Sequence, residues 1–223
     1  MIKKNDRLLC FSPHPDDTEF GLGGLLHRFR DDIEYLIVVF SDRSQTRGEL
    51  NNDRDQFRAA QLLGAAEDQV LFVDQLPDSS FQRLPIQLFA NEDNRGQIRQ
   101  ILSTAVKMFK PTTIFVPSKN ETMQDHQAIG EEAVRILRGE YSIYGYEVPK
   151  HNRLFQPNAF VQLEQADVNA KVSALQCYSE FTTDYYFEQK VLESLACVRA
   201  LHAGFFGYAE AFEVYRIFVS NKQ

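Results

Sequence analysis

Short apolar runs alternate along this chain with stretches whose apolar positions fall three and four apart. "RLLCFS" (7–12) and "IEYLIVVF" (33–40) are continuous runs of strand length, and "GGLLHRFRDD" between them repeats at helical spacing. Strand, loop, helix and strand in that order make a βαβ unit, with a parallel pair joined by a right-handed crossover. The alternation continues. "NDRDQFRAAQLLGA" predicts an amphipathic helix closed near Gly64, "QVLFV" (Gln69 to Val73) a strand, and "NRGQIRQILSTAVKMFK" a helix stopped before Pro111. "TTIFVP" (Thr112 to Pro117) predicts a strand, and "DHQAIGEEAVRILRG" a helix ending at Gly139. "YGYEVP" and "AFVQL" read as further strands, followed by helices near Gln165 to Tyr178 and Phe187 to Ala203, and "EVYRIFV" as a closing strand.

This order predicts an α/β fold with a mostly parallel sheet covered by helices on both faces. The 223 residues show no linker, repeat or low-complexity segment, so one domain over 1–223 is expected. The longest irregular stretch, Asp74 to Asn94, carries Pro77 and Pro85. A loop of that length in a compact domain is more often functional than idle.

Charge and cysteine content narrow the field. With 24 Lys and Arg against 31 Asp and Glu, the net charge is -7. That argues against nucleic acid as the main partner, because phosphate binding needs a basic footprint. No apolar run approaches the roughly 18 residues of a membrane span, and "MIKKNDRLLCF" lacks the apolar core of a secretion signal. Cys10, Cys177 and Cys197 are odd in number and far apart, with no zinc spacing and no disulfide framework. Buried free thiols in a reducing cytoplasm are expected.

Chemistry concentrates where the first strand stops, in "CFSPHPDDTEFGLGG" (10–24). Ligands of open α/β sheets sit beyond the carboxyl ends of the strands, and this stretch lies at such an end. His14 and Asp17 offer an imidazole nitrogen and a carboxylate oxygen, both good zinc ligands, on a loop stiffened by Pro13 and Pro15. Asp16 diverges from its neighbour and is left as a base. Alternatively, Asp16 and Asp17 cap the helix expected to begin near Gly21. Gly21, Gly23 and Gly24 are expected to let the backbone approach a ligand. "GLGG" is a poor dinucleotide loop, because Leu26 stands where the fingerprint needs glycine.

A catalytic zinc usually has three protein ligands. Of the five histidines, His126 follows "TTIFVP" and opens a helix on the same rim of the sheet, which makes it the best third ligand. His27, His151 and His202 fall in the first helix, a late loop and the last helix. Asp125 beside His126 serves either to orient a ligand or to cap its helix. Arg43, Arg47 and Arg54 follow the second strand and suit an anionic substrate group, or belong to a solvated loop and helix face. The aromatic "SEFTTDYYFEQ" suits a sugar ring, the core or a subunit contact, so a homo-oligomer is possible.

"PHPDDTEFGLGG" resembles the signature of the PIG-L/LmbE-type zinc-dependent N-deacetylases, and "FRAAQLLGA", "VPSKNETMQDHQAIGEEAVRILR", "YGYEVP" and "GYAEAFEVYR" resemble later blocks of that family in order. The resemblance implies a Rossmann-like fold and removal of an acetyl group from an N-acetylated amino sugar or its conjugate. It implies Zn2+, or another divalent ion, held by His14, Asp17 and His126, with Asp16 as general base. One position departs from the pattern. The family's later motif commonly reads His-x-Asp-His, its first histidine stabilising an oxyanion, and here the run is Met123-Gln124-Asp125-His126. Methionine donates no hydrogen bond, so either another group supplies that role, with His151 and His202 the ionisable substitutes and Tyr, Arg or Lys side chains also able to serve, or catalysis is slow or lost. The alternative is therefore a metal- or sugar-binding protein of the same fold with weak catalysis or none.

Overall fold

The computed structural model describes residues 2–41, 52–77, 80–84, 92–178 and 184–219. In chain order the elements are β1 (Arg7–Ser12), α1 (Asp17–Phe29), β2 (Glu34–Val39), α2 (Asn52–Leu62), β3 (Val70–Phe72), α3 (Glu92–Phe109), β4 (Thr113–Pro117), α4 (Gln124–Ile136), β5 (Ser142–Tyr146), β6 (Ala159–Leu163), α5 (Gln165–Leu175), α6 (Gln189–Ala203) and β7 (Tyr208–Arg216). Short 3₁₀ turns flank β3 and precede α6.

The strands form one seven-stranded sheet in the order β3-β2-β1-β4-β5-β7-β6. The first five strands of that order are parallel to one another, and β7 runs antiparallel to both β5 and β6. This is the predicted Rossmann-like α/β arrangement. Chain order runs outward from β1 through β2 to β3, then returns to place β4 on β1's other side. The sheet's switch point, where such folds bind ligands, is therefore the gap between the ends of β1 and β4.

Alternate residues of β1 feed two cores. Leu8 and Cys10 join the cluster that contains Leu22, Leu25, Ala59, Val172 and Leu192, on the α1, α2, α5 and α6 side. Leu9 and Phe11 join Ile98, Ile101, Ile129 and Ala133, on the α3 and α4 side. Both faces are thus covered, as a near-continuous apolar strand requires.

Tertiary pairing moved several boundaries. β5 lies two residues before "YGYEVP" because Ser142 pairs with Thr113. β7 starts five residues before "EVYRIFV" because Tyr208 pairs with Leu163. α4 stops at Ile136, since Leu137 is already extended at φ -71, ψ 115. The cysteine expectation is corrected: Cys10 is buried, Cys177 is half-buried and Cys197 is exposed on α6.

The glycines also differ from expectation. α1 begins at Asp17, so Gly21, Gly23 and Gly24 lie inside the helix. Their work is close packing. A Cβ on Gly21 would fall 2.3 Å from the Tyr146 ring, one on Gly23 3.1 Å from Lys171, and one on Gly24 2.4 Å from Leu163. Tyr146 has no room to yield, because it is fully buried and its hydroxyl donates to the Phe11 carbonyl at 2.9 Å. Gly21→Val is expected to cost about 1–3 kcal/mol by overpacking, read as a lower urea midpoint with an unchanged m-value.

Glu210, from the "YAEAF" block, ties three elements together. Its carboxylate accepts the Gly24 and Leu25 N–H groups of α1 at 2.9 and 2.7 Å and the Lys171 ammonium of α5 at 2.7 Å. Both charged residues are buried. Glu210→Ala strands the Lys171 charge, so a loss of about 3–5 kcal/mol is expected in the same denaturation experiment.

Candidate metal centre

The loop after β1 is folded by its own side chains. Ser12 Oγ donates to the His14 carbonyl at 2.7 Å and accepts the Thr18 N–H at 3.3 Å. The His14 N–H donates to Asp17 Oδ2 at 2.9 Å. Asp16 occupies the helix N-cap position with φ 92, ψ -26, a left-handed conformation, and its side chain makes no capping bond. Left-handed backbone at a non-glycine residue costs about 1–3 kcal/mol and persists where surroundings enforce it, most often at functional sites.

The loop after β4 is held from the other side of the sheet. Glu213 of β7 accepts Ser118 Oγ at 2.7 Å, Asn120 Nδ2 at 3.0 Å and the Gln156 N–H at 3.0 Å. This braces the segment leading into α4, whose first turn carries Asp125 and His126.

The two loops bring three donor atoms together. His14 Nδ1 and Asp17 Oδ2 are 3.1 Å apart, His126 Nε2 and Asp17 Oδ2 3.1 Å, and His126 Nε2 and His14 Nδ1 3.3 Å. An ion bound tetrahedrally at about 2.0–2.1 Å has ligands about 3.3–3.4 Å apart, so this triangle has the size of one face of a zinc tetrahedron. All three residues are buried, and the same trio is the group of metal-ligating side chains found among the described residues. The donor set fits a divalent ion.

Polar partners orient the triangle. His14 Nε2 lies 2.8 Å from Asp125 Oδ2. Donation from Nε2–H leaves the Nδ1 lone pair facing the triangle, the usual arrangement of a ligating histidine. Asp125 is thus bonded to the opposite loop, while the N-cap position of α4 is Met123. Burial raises the Asp17 carboxyl, but the adjoining His126 and His14 more than offset it and hold Asp17 well below the usual carboxylate range. Burial pushes His126 down, toward the neutral form that a metal ligand needs.

Two buried carboxylates near the triangle, Glu121 and Glu19, were given no role by the sequence. Glu121 Oε1 accepts the Val148 N–H at 3.3 Å, and its Oε2 lies 3.9 Å from His126 Nδ1. Burial pushes Glu121 up to about 9. Glu19 accepts Gln56 Nε2 of α2 at 2.6 Å, and burial pushes it up to about 8. An acid on the strand-end loop, five positions before His126, was the available signal for Glu121. His151 stands edge to face with His126, ring centroids 5.5 Å apart. Burial first, then His126 and Lys150, push it down to about 4. His27 lies instead with Asp167, and His202 with Arg199.

Arg54 is exposed on α2, and Arg43 and Arg47 lie outside the described residues. Much of "SEFTTDYYFEQ" lies outside them too, but Tyr186 and Phe187 pack against Phe20 of α1. Among the described residues no helix is long and apolar enough to cross a membrane.

A metal-sized donor triangle at the switch point of a mostly parallel sheet makes this an α/β fold with a candidate metal site. The chain belongs to the PIG-L family of de-N-acetylases: the family described as GlcNAc-PI de-N-acetylase matches residues 9–137. Among curated proteins, an uncharacterized deacetylase, YaiS, of Escherichia coli K12 is 25% identical over 174 residues, covering 77% of this chain and 90% of that one. The diacetylchitobiose deacetylase of Thermococcus kodakarensis is 25% identical over 137 residues, covering 56% of this chain and 46% of that protein. Among solved structures, the N,N'-diacetylchitobiose deacetylase of Pyrococcus horikoshii, bound to an inhibitor, superposes with a TM-score of 0.71 at 19% identity, over 97% of this chain and 88% of that one.

Proposed function

We propose that this chain is a metal-dependent hydrolase that removes the acetyl group from an N-acetylated amino sugar or sugar conjugate, with zinc as resident ion. The donor triangle of His14, Asp17 and His126 carries the reading, and the family match and the diacetylchitobiose deacetylase relative support it. A divalent ion in this position supplies charge that acidifies water and polarises an acyl oxygen.

The chain's own residues do the rest. Asp125 holds His14 in the ligating tautomer. Asp16 sits next to the ligand Asp17 yet outside the triangle, and its strained backbone aims a carboxylate that does not cap its helix. It accepts the proton of the attacking water as the carbon–oxygen bond forms. It returns that proton to nitrogen as the carbon–nitrogen bond breaks, leaving acetate and a free amine. Residues 1–223 act as one domain in this reading, and the three free cysteines suit a cytoplasmic setting.

The test is amine release. Protein stripped with a chelator and reloaded with zinc is offered N-acetylglucosamine, N-acetylgalactosamine and diacetylchitobiose, and free amine is quantified. Release that requires the ion supports the reading. Fully loaded protein inert across such a panel points to the binding-only alternative that Met123 raises.

A further inference from the structure

We propose that His151 donates a hydrogen bond to the acyl oxygen as it gains negative charge, on the face of the metal centre that Met123 leaves without a donor. This rests on the deacetylase reading and assigns it a further residue.

The ring is placed by its backbone. The Thr122 N–H and hydroxyl both donate to the His151 carbonyl, at 2.9 and 2.8 Å. The His151 N–H donates to the Val148 carbonyl at 3.0 Å, and the Val148 N–H returns to Glu121 at 3.3 Å. Residues 148–151 are therefore pinned to residues 121–122, immediately before Met123 and the helix that carries His126. This is a built support for a loop side chain that would otherwise have little reason to be ordered.

Chemistry and exposure then single out His151. His14 and His126 are fully buried, each with one ring nitrogen in the triangle and the other toward a buried acid. His151 is half-buried, and its ring lies beside that of the triangle residue His126. His27 and His202 are held by Asp167 and Arg199 on outer helices. The Lys150 ammonium donates to Tyr186 at 3.1 Å and lies over its ring. Met123, also half-buried, has only a thioether. An imidazole carries an N–H donor in either charge state, so the role asks for no proton transfer by His151.

The test compares zinc-loaded wild type, His151→Ala and His151→Gln by two readouts. One is kcat and KM for N-acetylglucosamine. The other is calorimetric affinity for a methylphosphonamide of glucosamine, whose tetrahedral oxygens mimic the charged intermediate. Zinc content and thermal midpoint are followed in parallel. Expected for His151→Ala is a fall of about 10²–10³ in kcat with little change in KM, a comparable weakening of phosphonamide binding, and retained zinc. Glutamine, which keeps an N–H donor, restores part of both. Wild-type kcat and affinity in His151→Ala overturn the assignment, as does a glutamine variant no better than alanine. If zinc-loaded wild type neither releases amine nor binds the phosphonamide, the deacetylase reading itself fails and this assignment falls with it, a pattern distinct from the other two.

Discussion

Replacing Asp16 with asparagine is expected to slow amide hydrolysis by about 10²–10⁴-fold while bound metal stays at about one equivalent. The two residues share a shape, and asparagine lacks the charge and the proton-accepting oxygen of the carboxylate. Asparagine tolerates the left-handed backbone at φ 92 about as well as aspartate, so the loop keeps its shape. The triangle is made by His14, Asp17 and His126, so the ligand set is untouched. Turnover and metal content measured on one preparation separate loss of the base from loss of the ion. Asp16→Gly adds a contrast. Glycine relieves the backbone strain, worth about 1–3 kcal/mol, and is expected to raise the denaturation midpoint of a protein that no longer turns over.

Asp17→Ala is expected to empty the site. Asp17 Oδ2 forms two of the triangle's three edges and supplies its negative charge, and two neutral imidazoles do not replace it. Asp125→Ala offers the graded comparison. It removes only the partner that orients His14, and loss of such a partner typically costs about 10–100-fold in affinity. Competition with a chelator at graded concentrations should therefore rank wild type above Asp125→Ala, and Asp125→Ala above Asp17→Ala. Equal metal retention by all three proteins would remove Asp17 from the ligand set.

The meeting of His14, Asp17 and His126 was legible because the fold rule is strong. Strand-end loops of an open α/β sheet share one rim, and few histidines followed strands. Helix existence was legible for the same kind of reason, since apolar spacing is a local property. What was not legible depended on distant partners. Gly21, Gly23 and Gly24 looked like room for a ligand, but the residues they make room for are Tyr146, Lys171 and Leu163, more than a hundred positions away. Glu210 looked like an acid of no stated role until the N–H groups of α1 and the ammonium of Lys171 closed around it. β7 was misplaced because its start is set by pairing with β6 rather than by its own composition. Cys197 was placed inside because cysteine usually is, and the solvent face of α6 decided otherwise.

The metal centre is tested most directly by anomalous X-ray diffraction at the zinc edge, from crystals of protein purified without chelator and supplied with zinc. The expected result is one strong peak at bonding distance, about 2.0–2.2 Å, from His14 Nδ1, Asp17 Oδ2 and His126 Nε2 together. A fully zinc-loaded protein whose peak lies elsewhere, or touches none of these three atoms, would contradict the site and the function built on it.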